Sequence, residues 1–269
     1  MSEADKTFAG SIPAIYDELL VPLIFAGYAD DMAQRVTEYP VAEVLEIAAG
    51  TGVLTRALAA RLPATARYVV TDLNQPMLDR ARASQDSDGR LVWQQADALA
   101  LPLPDAAFDA VCCQFGAMFF PDRVRGFAEA RRVLRPGGRL HLSVWDRIEE
   151  NDLPLAVQEA VGELIPSDPP RFMERMPHGY HDIGRMRSDL QQAGFADIRI
   201  TPRDDISRAH SATHVAIAFC QGTPLRNEIE ARCPGRLEEI TEAVTAALVR
   251  KLGKGELSGR IRAFIVQAA

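Results

Sequence analysis

The sequence predicts an α/β protein with a doubly wound, mostly parallel, seven-stranded sheet and helical lid elements. Two observations lead to this prediction. Short apolar runs of strand length alternate with segments of helical spacing from residue 41 onward, as in sheets that carry helices on both faces. A glycine-rich turn, Gly50-Thr51-Gly52, follows the first run, and sheets of this kind bind ligands at such turns. The 269 residues suffice for one large domain.

The first forty residues are predicted to be helical. Apolar side chains recur at helical spacing over 15–24, and Ala29–Val36 continues the pattern after a loop. Pro40 then ends the region. We expect residues 1–40 to form an N-terminal helical lid.

Seven apolar runs are predicted as strands, with helical segments between them. The strands are expected at 41–48, 67–71, 91–95, 108–114, 139–144, 198–201 and 261–266. The intervening helices are expected at 53–62, 76–84, 124–134 and 183–193. Short parallel strands joined by helices leave few topologies once crossovers are right-handed. We therefore predict a core over 41–148 and its completion over 182–269, with a helical insertion at 209–252.

Residues 149–181 interrupt this alternation and are predicted to cover the sheet. Five prolines stand between residues 154 and 177, which favours a short helix followed by an irregular connection. Long connections of this type often serve as lids over a site.

Composition and charge exclude several classes of protein. The formal net charge of −7 makes a nucleic acid a poor partner. A cluster of arginines is compatible either with a solvated helix face or with a phosphate-binding surface; its members are Arg123, Arg125, Arg131, Arg132, Arg135 and Arg139. No continuous apolar run approaches the roughly 18 residues that span a bilayer. With a polar N-terminus, this predicts a cytoplasmic protein without a membrane span.

Acidic residues lie near the carboxyl ends of the first three predicted strands of the core. Glu46 lies late in the first run, four residues before Gly50, and Asp72 follows the second run, 20 residues after Gly52. A carboxylate at that point can accept hydrogen bonds from ribose hydroxyls, or it can cap the next helix. Asp97 follows the third run. The pattern predicts a nucleotide-type cofactor at this edge of the sheet.

A dinucleotide is the first alternative for that cofactor. The dinucleotide fingerprint requires glycine or alanine at its last position, where this chain has Thr55. Dinucleotide sites also have no need of Asp97. An oxidoreductase of Rossmann type therefore stays an alternative, as does a catalytically silent cofactor-binding protein.

Taken together, these motifs resemble the class I S-adenosylmethionine-dependent methyltransferases, and among them the ubiquinone and menaquinone biosynthesis C-methyltransferases (methyltransferase type 11). The resemblance rests on Glu46 to Gly52, Asp72, Asp97-Ala98, the run 108–114 and Leu134-Arg135-Pro136-Gly137-Gly138. It implies that the last strand runs antiparallel. Ala48 departs from the pattern, because that family usually has glycine there.

The resemblance also implies a role for each residue of the cofactor site. The methionine end would be lined by Glu46, Ala48, Gly50 and Gly52, with Gln114 facing the methionyl group and Tyr16 reaching in from the N-terminal helix. The ribose would be held by Asp72, and the adenine by Leu73, Met77, Asp97 and Ala98. For Met77, a place in the helix core is an equal alternative.

The acceptor side is predicted from one polar cluster in the covering segment. His178, Tyr180 and His181 are the candidate catalytic residues, because a histidine can take a proton from an acceptor at neutral pH. The alternative is a structural loop in which Asp182 caps the following helix. No metal is expected, since the four cysteines form no C-x-x-C pair and no paired carboxylates accompany the histidines.

The predicted function is methyl transfer from S-adenosylmethionine to a small-molecule acceptor, such as a quinone precursor or a secondary metabolite. The sequence leaves open whether the accepting atom is oxygen, nitrogen or carbon. The oligomeric state stays open too, with a homodimer among the alternatives.

Overall fold

A computed structural model describes residues 5, 8 and 10–269; the rest of the predicted N-terminal lid lies outside the described residues. The strands in the described part are β1 (Glu43–Glu46), β2 (Arg67–Asp72), β3 (Leu91–Gln95), β4 (Phe108–Gln114), β5 (Leu134–Trp145), β6 (Ile198–Ala209) and β7 (Leu257–Ala268). They form one sheet in the order β3-β2-β1-β4-β5-β7-β6. The predicted seven-stranded doubly wound sheet is confirmed.

Parallel pairing joins the first five strands. β1 pairs with β2 and β4, β2 with β3, and β4 with β5, all in parallel. Asp197 and Ala269 exchange backbone hydrogen bonds of 3.3 and 3.0 Å, which is the pattern of an antiparallel pair. β6 and β7 therefore run antiparallel at one end of the sheet, as the resemblance implied.

Helices separate these strands. In chain order they are α1 (Ile12–Val36), α2 (Val53–Ala59), α3 (Gln75–Ala83), α4 (Arg123–Val133), α5 (Asp152–Leu164), α6 (Phe172–Arg175), α7 (Ile183–Gln192), α8 (Ala212–Cys220), α9 (Leu225–Arg232) and α10 (Leu237–Leu252). The predicted helices at 53–62, 76–84, 124–134 and 183–193 each lie within a few residues of their observed bounds.

α1 departs from the prediction of two helices separated by a loop. It is continuous, and its middle, Tyr16–Phe25, is wound as a π-helix around Pro22. Proline interrupts a regular α-helix because it has no N–H to donate, but here the chain stays helical in the wider winding. By length and composition alone α1 could span a membrane, although polar residues interrupt its apolar sequence. Half of its most apolar stretch is buried inside the protein.

Three further segments contain more regular structure than predicted. Residues 149–181 include the 13-residue helix α5, which has Pro154 in its first turn, where proline is tolerated. β6 continues to Ala209 instead of ending at Thr201, and β5 begins at Leu134 instead of Arg139. For β5 and β6, pairing with a neighbouring strand extends the element beyond its apolar run.

The chain divides into two compact units. The core unit comprises 26–144, 180–203 and 263–269. Its first four strands and the helices α2 and α3 enclose apolar side chains, among them Val44, Leu54, Leu58, Val70 and Leu78. The second unit comprises 1–25, 145–179 and 204–262, and its helices α5, α8 and α10 pack on one another. The segment boundaries given in the sequence analysis stay a prediction.

Candidate functional site

Polar side chains meet at the carboxyl ends of four neighbouring strands in the core unit. Glu46, Asp72 and Gln114 are the last residues of β1, β2 and β4, and Asp97 lies two residues beyond β3. These strands are parallel neighbours, so their carboxyl ends share one edge. The strand order reverses between β1 and β4, and doubly wound sheets bind ligands at that point. The structure therefore places four of the residues predicted for the cofactor along one edge of the sheet.

The turn after β1 has an unusual backbone. Ala48, Gly50 and Gly52 all have left-handed φ angles, of 55°, 59° and 80°. Gly52 also has no room for a side chain, since a Cβ there would lie 3.0 Å from the Cβ of Ala81 on α3. Ala48 adopts at a cost of about 1–2 kcal/mol a conformation that glycine adopts freely. The departure at Ala48 thus falls on a position where the backbone favours glycine.

Asp72 holds this turn in place. Its Oδ2 accepts from the backbone N–H of Gly50, and its Oδ1 from that of Asn74, both at 2.8 Å. Burial raises the pKa of Asp72, while these hydrogen bonds oppose the shift. Helix α3 is capped at Asn74, so the alternative that Asp72 is its N-cap is wrong. A carboxylate has about four acceptor positions, which leaves capacity on each oxygen for a ligand hydroxyl.

Glu46 is buried beside two hydroxyl groups whose contacts with it were not predicted from the sequence. Thr55 Oγ1 donates to Glu46 Oε2 at 2.7 Å, and the Tyr68 hydroxyl donates a short hydrogen bond to the same oxygen. Burial raises the pKa of Glu46 to about 7, although both hydroxyls act to lower it. Thr55, the residue that departs from the dinucleotide fingerprint, therefore serves as a hydrogen-bond donor to the carboxyl group of Glu46. The mismatch at Thr55 was the one signal in the sequence that pointed to this contact.

The adenine-side candidates have different degrees of exposure. Leu73 is 45% exposed, an unusual value for a large apolar side chain, whereas Met77 is buried in helix α3. The exposed Asp97 accepts from the backbone N–H of Leu99 at 2.9 Å, and Ala98 beside it is buried. These positions leave an apolar surface at Leu73 and a carboxylate at Asp97, both beyond the carboxyl ends of their strands.

Ala48 and Gly116 occupy adjoining space at the ends of β1 and β4. A Cβ built on Gly116 would lie 2.4 Å from the Cβ of Ala48 and 2.8 Å from Cys113 Sγ. The backbone beside Gly116 is itself unusual, since Phe115 has a φ of 54°. Glycine at 116 is therefore required by the methyl group of Ala48 and, to a lesser degree, by the thiol of Cys113.

We expect Gly116→Ala to lower the free energy of unfolding by about 2 kcal/mol, as overpacking in a tight site does. Adding Ala48→Gly should restore much of that loss, because it removes the clashing methyl and relaxes a left-handed backbone. Urea unfolding of the single and double variants measures this coupling. Gly89→Ala is the matched control, because a Cβ there meets nothing within 4 Å. Equal losses in the single and double variants would contradict the shared-space interpretation.

Tyr16 and His178 belong to the second unit. The Tyr16 ring stacks on Phe25, with centroids 5.1 Å apart. The buried His178 has Nδ1 2.8 Å from the carbonyl oxygen of Asp146, and its ring lies 6.2 Å from that of Trp145. Since a carbonyl only accepts, Nδ1 carries the proton and Nε2 is the basic nitrogen in the neutral ring.

Tyr180 and His181 belong to the core unit. The Tyr180 hydroxyl donates to Asp189 at 2.9 Å, and the Arg123 guanidinium lies 4.3 Å from its ring centroid. Burial and the Asp189 carboxylate raise the pKa of Tyr180 far above its usual value, which disfavours a role as a base. His181 is exposed. The Asp182 carboxylate accepts from the backbone N–H of Arg185 at 2.9 Å and so caps α7, as the structural alternative predicted.

No cluster of three or more metal-ligating side chains occurs within the described part of the chain. Its four cysteines are free thiols, and burial raises the pKa of both Cys113 and Cys220 to about 12. Such thiols are poor nucleophiles at neutral pH.

The sheet order, the left-handed turn and the strand-end acids define a doubly wound protein with a nucleotide-type cofactor site. Residues 45–142 match the methyltransferase domain family. The chain is 31% identical over 169 residues to the ubiquinone/menaquinone biosynthesis C-methyltransferase UbiE of Saccharophagus degradans, covering 58% of this chain and 68% of that one. The chain belongs to the class I S-adenosylmethionine-dependent methyltransferases and resembles the UbiE group within them.

One further relative is a methyltransferase, and one solved structure has the same fold. The demethylmenaquinone methyltransferase of Deinococcus radiodurans is 40% identical over 117 residues, which are 43% of this chain and 48% of that one. This chain thus spans about half the length of the first curated relatives it matches. The YcgJ protein of Bacillus subtilis has the same fold, with a TM-score of 0.59 at 18% identity over 90% of this chain and 97% of that one.

Proposed function

We propose that this protein transfers the methyl group of S-adenosylmethionine to a small organic acceptor. The observation that carries the proposal is the contact between Asp72 and the glycine turn. Through it, the strand-end acid and the turn form one structure at the switch point of the sheet. The donors and acceptors at this edge suit a nucleoside: a carboxylate for ribose hydroxyls, an exposed apolar side chain for an aromatic base, and a backbone that a ligand can approach closely.

Different residues of the core unit would bind different parts of S-adenosylmethionine. Asp72 accepts hydrogen bonds from the ribose hydroxyls, and Leu73 covers one face of the adenine while Asp97 accepts from its amino group. Gly50 and Gly52 admit the methionine end, and the carboxyl group of Glu46 lies beneath it. When bound, S-adenosylmethionine supplies an activated methyl group on a sulfonium. The remaining task of the protein is to orient the acceptor and exclude water.

The acceptor we favour is a quinone precursor, since the relatives named above are ubiquinone and menaquinone biosynthesis enzymes. The nature of the accepting atom follows from the acceptor, and a secondary metabolite stays the alternative. His178 is the strongest of the predicted catalytic residues, because Nε2 of its ring is basic. The roles of Tyr16, Tyr180 and His181, the cytoplasmic location and the homodimer stay predictions.

The two alternatives make different demands on the site. A dinucleotide needs close approach of α2 to the pyrophosphate, where Thr55 instead turns its hydroxyl to Glu46. A cofactor-binding protein without catalytic activity would have the same cofactor site as a methyltransferase, and it would differ only in not methylating an acceptor.

Titration calorimetry separates these alternatives. We expect saturable binding of S-adenosylhomocysteine and no saturable heat from NAD at the same concentrations, because the site has acceptors for one nucleoside. Labelled S-adenosylmethionine should then methylate a member of a panel of quinone precursors. Saturable NAD binding without binding of S-adenosylhomocysteine would overturn the proposal, and cofactor binding without turnover on any acceptor would favour the silent protein.

A further inference from the structure

A cavity of about 200 Å³ lies in the core unit, at the edge of the sheet opposite the candidate cofactor site. It is formed by the chain after α1 and by the first residues of β4 and β5. The lining residues are Val36, Tyr39, Pro40, Val41, Asp109, Ala110, Arg135, Pro136, Gly137, Gly138, Arg139 and His141. Two arginines of the cluster noted in the sequence are among them.

Arg139 supplies an uncompensated positive charge to this cavity. Its guanidinium lies 3.4 Å from the ring centroid of Tyr39, and within the described ranges it forms no ion pair. Both carboxylate oxygens of Asp109 accept hydrogen bonds from other groups. Oδ1 accepts from Arg135 at 2.7 Å, and Oδ2 accepts from the backbone N–H groups of Ala42 and Glu43 at 2.9 Å each. Asp109 therefore offsets Arg135 and leaves Arg139 with free donors.

His141 adds a second polar group without a partner. It stands two residues after Arg139 on β5, so both side chains project from the same face of the strand. The side chain is 3% exposed, and Nδ1 has no hydrogen-bond partner in the part of the chain that the structure describes. Leaving such a buried group unsatisfied is unfavourable, and a bound ligand would satisfy it.

The charges that act on His141 are positive and favour an anion. Burial lowers the pKa of His141 to about 4, and the positive charges of Arg139 and of Arg35 on α1 act in the same direction. The imidazole is therefore neutral at pH 7 and can donate from one nitrogen. The negative groups nearby, Asp109 and the Asp31 that pairs with Arg35, are both bound to arginines.

We propose that this cavity binds a small oxyanion, held by the guanidinium of Arg139 and the imidazole of His141. The volume is below the roughly 300–1,000 Å³ of pockets for drug-sized ligands, so it suits a phosphate or a carboxylate group and not a whole nucleotide. The arginines noted in the sequence therefore differ in role. Arg132 and Arg135 form ion pairs with carboxylates, whereas Arg139 can bind a ligand.

The test is a titration of the protein with inorganic phosphate, at constant ionic strength set with chloride, followed by the NMR signals of the histidine rings. We expect one saturable shift, at His141, and an upward change in its pKa, since a bound anion favours the protonated ring. Arg139→Gln should weaken binding at least tenfold, and Arg139→Lys less. Arg199→Gln, which removes an exposed charge of the same unit, is the matched control.

Equal responses to phosphate and chloride, or equal binding by the Arg139→Gln and Arg199→Gln variants, would overturn the proposal. Thermal unfolding of each variant checks that it is folded. Parallel titrations with acetate and with glycerol 3-phosphate distinguish a carboxylate, a free phosphate and the phosphate of a larger molecule. Because the readout uses no cofactor, it is independent of methyl transfer at the opposite edge.

Discussion

Replacing Asp72 by alanine is expected to weaken the binding of S-adenosylhomocysteine about 100-fold or more. Each hydrogen bond from a ribose hydroxyl to this buried carboxylate would contribute about 1.5 kcal/mol or more, and two of them amount to about 3 kcal/mol, or two factors of ten. The same change removes the acceptor for the backbone N–H groups of Gly50 and Asn74. The turn that admits the methionine end would therefore loosen as well.

Calorimetry on three variants distinguishes the two contributions. Asp72→Asn keeps an oxygen acceptor for the turn but loses the charge, so its affinity should fall between those of the wild type and Asp72→Ala. Asp79→Ala is the matched control, because Asp79 is exposed on α3 and contacts Gln75. An unchanged dissociation constant in Asp72→Ala, with an unchanged melting temperature, would exclude Asp72 from the site.

The strands of the core and their places along the chain could be predicted, because each buried parallel strand is a short apolar run between turn residues. The ends of β5 and β6 could not. β6 continues past Thr201 through alternating exposed residues to Ala209, where pairing with a neighbouring strand sustains the extended chain without an apolar pattern. The prediction of a loop inside α1 was wrong because burial of the apolar face of the helix outweighs the weak helix propensity of the glycine and proline there.

In the site, too, features that depend on neighbouring residues in the sequence could be predicted, whereas contacts between distant residues could not. Asp72 and Asp97 could be located because a polar residue within two positions of the end of a predicted strand must lie near the edge of the sheet. The partners of Glu46 could not, because Tyr68 is 22 residues away and its hydroxyl is brought to Glu46 only by strand pairing. The space shared by Ala48 and Gly116 likewise depends on β1 and β4 being neighbours.

The pair formed by Glu46 and Tyr68 predicts a specific dependence of stability on pH. The pKa of Glu46 is raised from 4.5 to about 7 in the folded protein, so between these values the folded state binds more protons than the unfolded one. The contribution of Glu46 to stability is therefore fully present below pH 4.5 and is lost as the pH rises to 7. Over this window the free energy of unfolding falls by about 3 kcal/mol. Above pH 7 it changes no further.

Urea unfolding of wild type and variants from pH 4.5 to 8.5 tests this dependence. Glu46→Gln should lack the loss of about 3 kcal/mol, so its stability relative to wild type should rise over that window. Tyr68→Phe removes a donor to a buried charge and should cost about 2 kcal/mol at pH 8. At pH 5, where Glu46 is protonated, the cost should be smaller.

Tyr39→Phe is the matched control, since that tyrosine is 45% exposed and its loss of a hydroxyl should cost little at any pH. If Tyr68→Phe cost the same at pH 5 as at pH 8, the Tyr68 hydroxyl would be packing against a neutral Glu46 throughout. The carboxyl group beneath the glycine turn would then be uncharged at the pH where the cofactor binds. It could not attract a positive sulfonium by charge, and the role left to Glu46 would be to hold the turn through its hydrogen bonds to Thr55 and Tyr68.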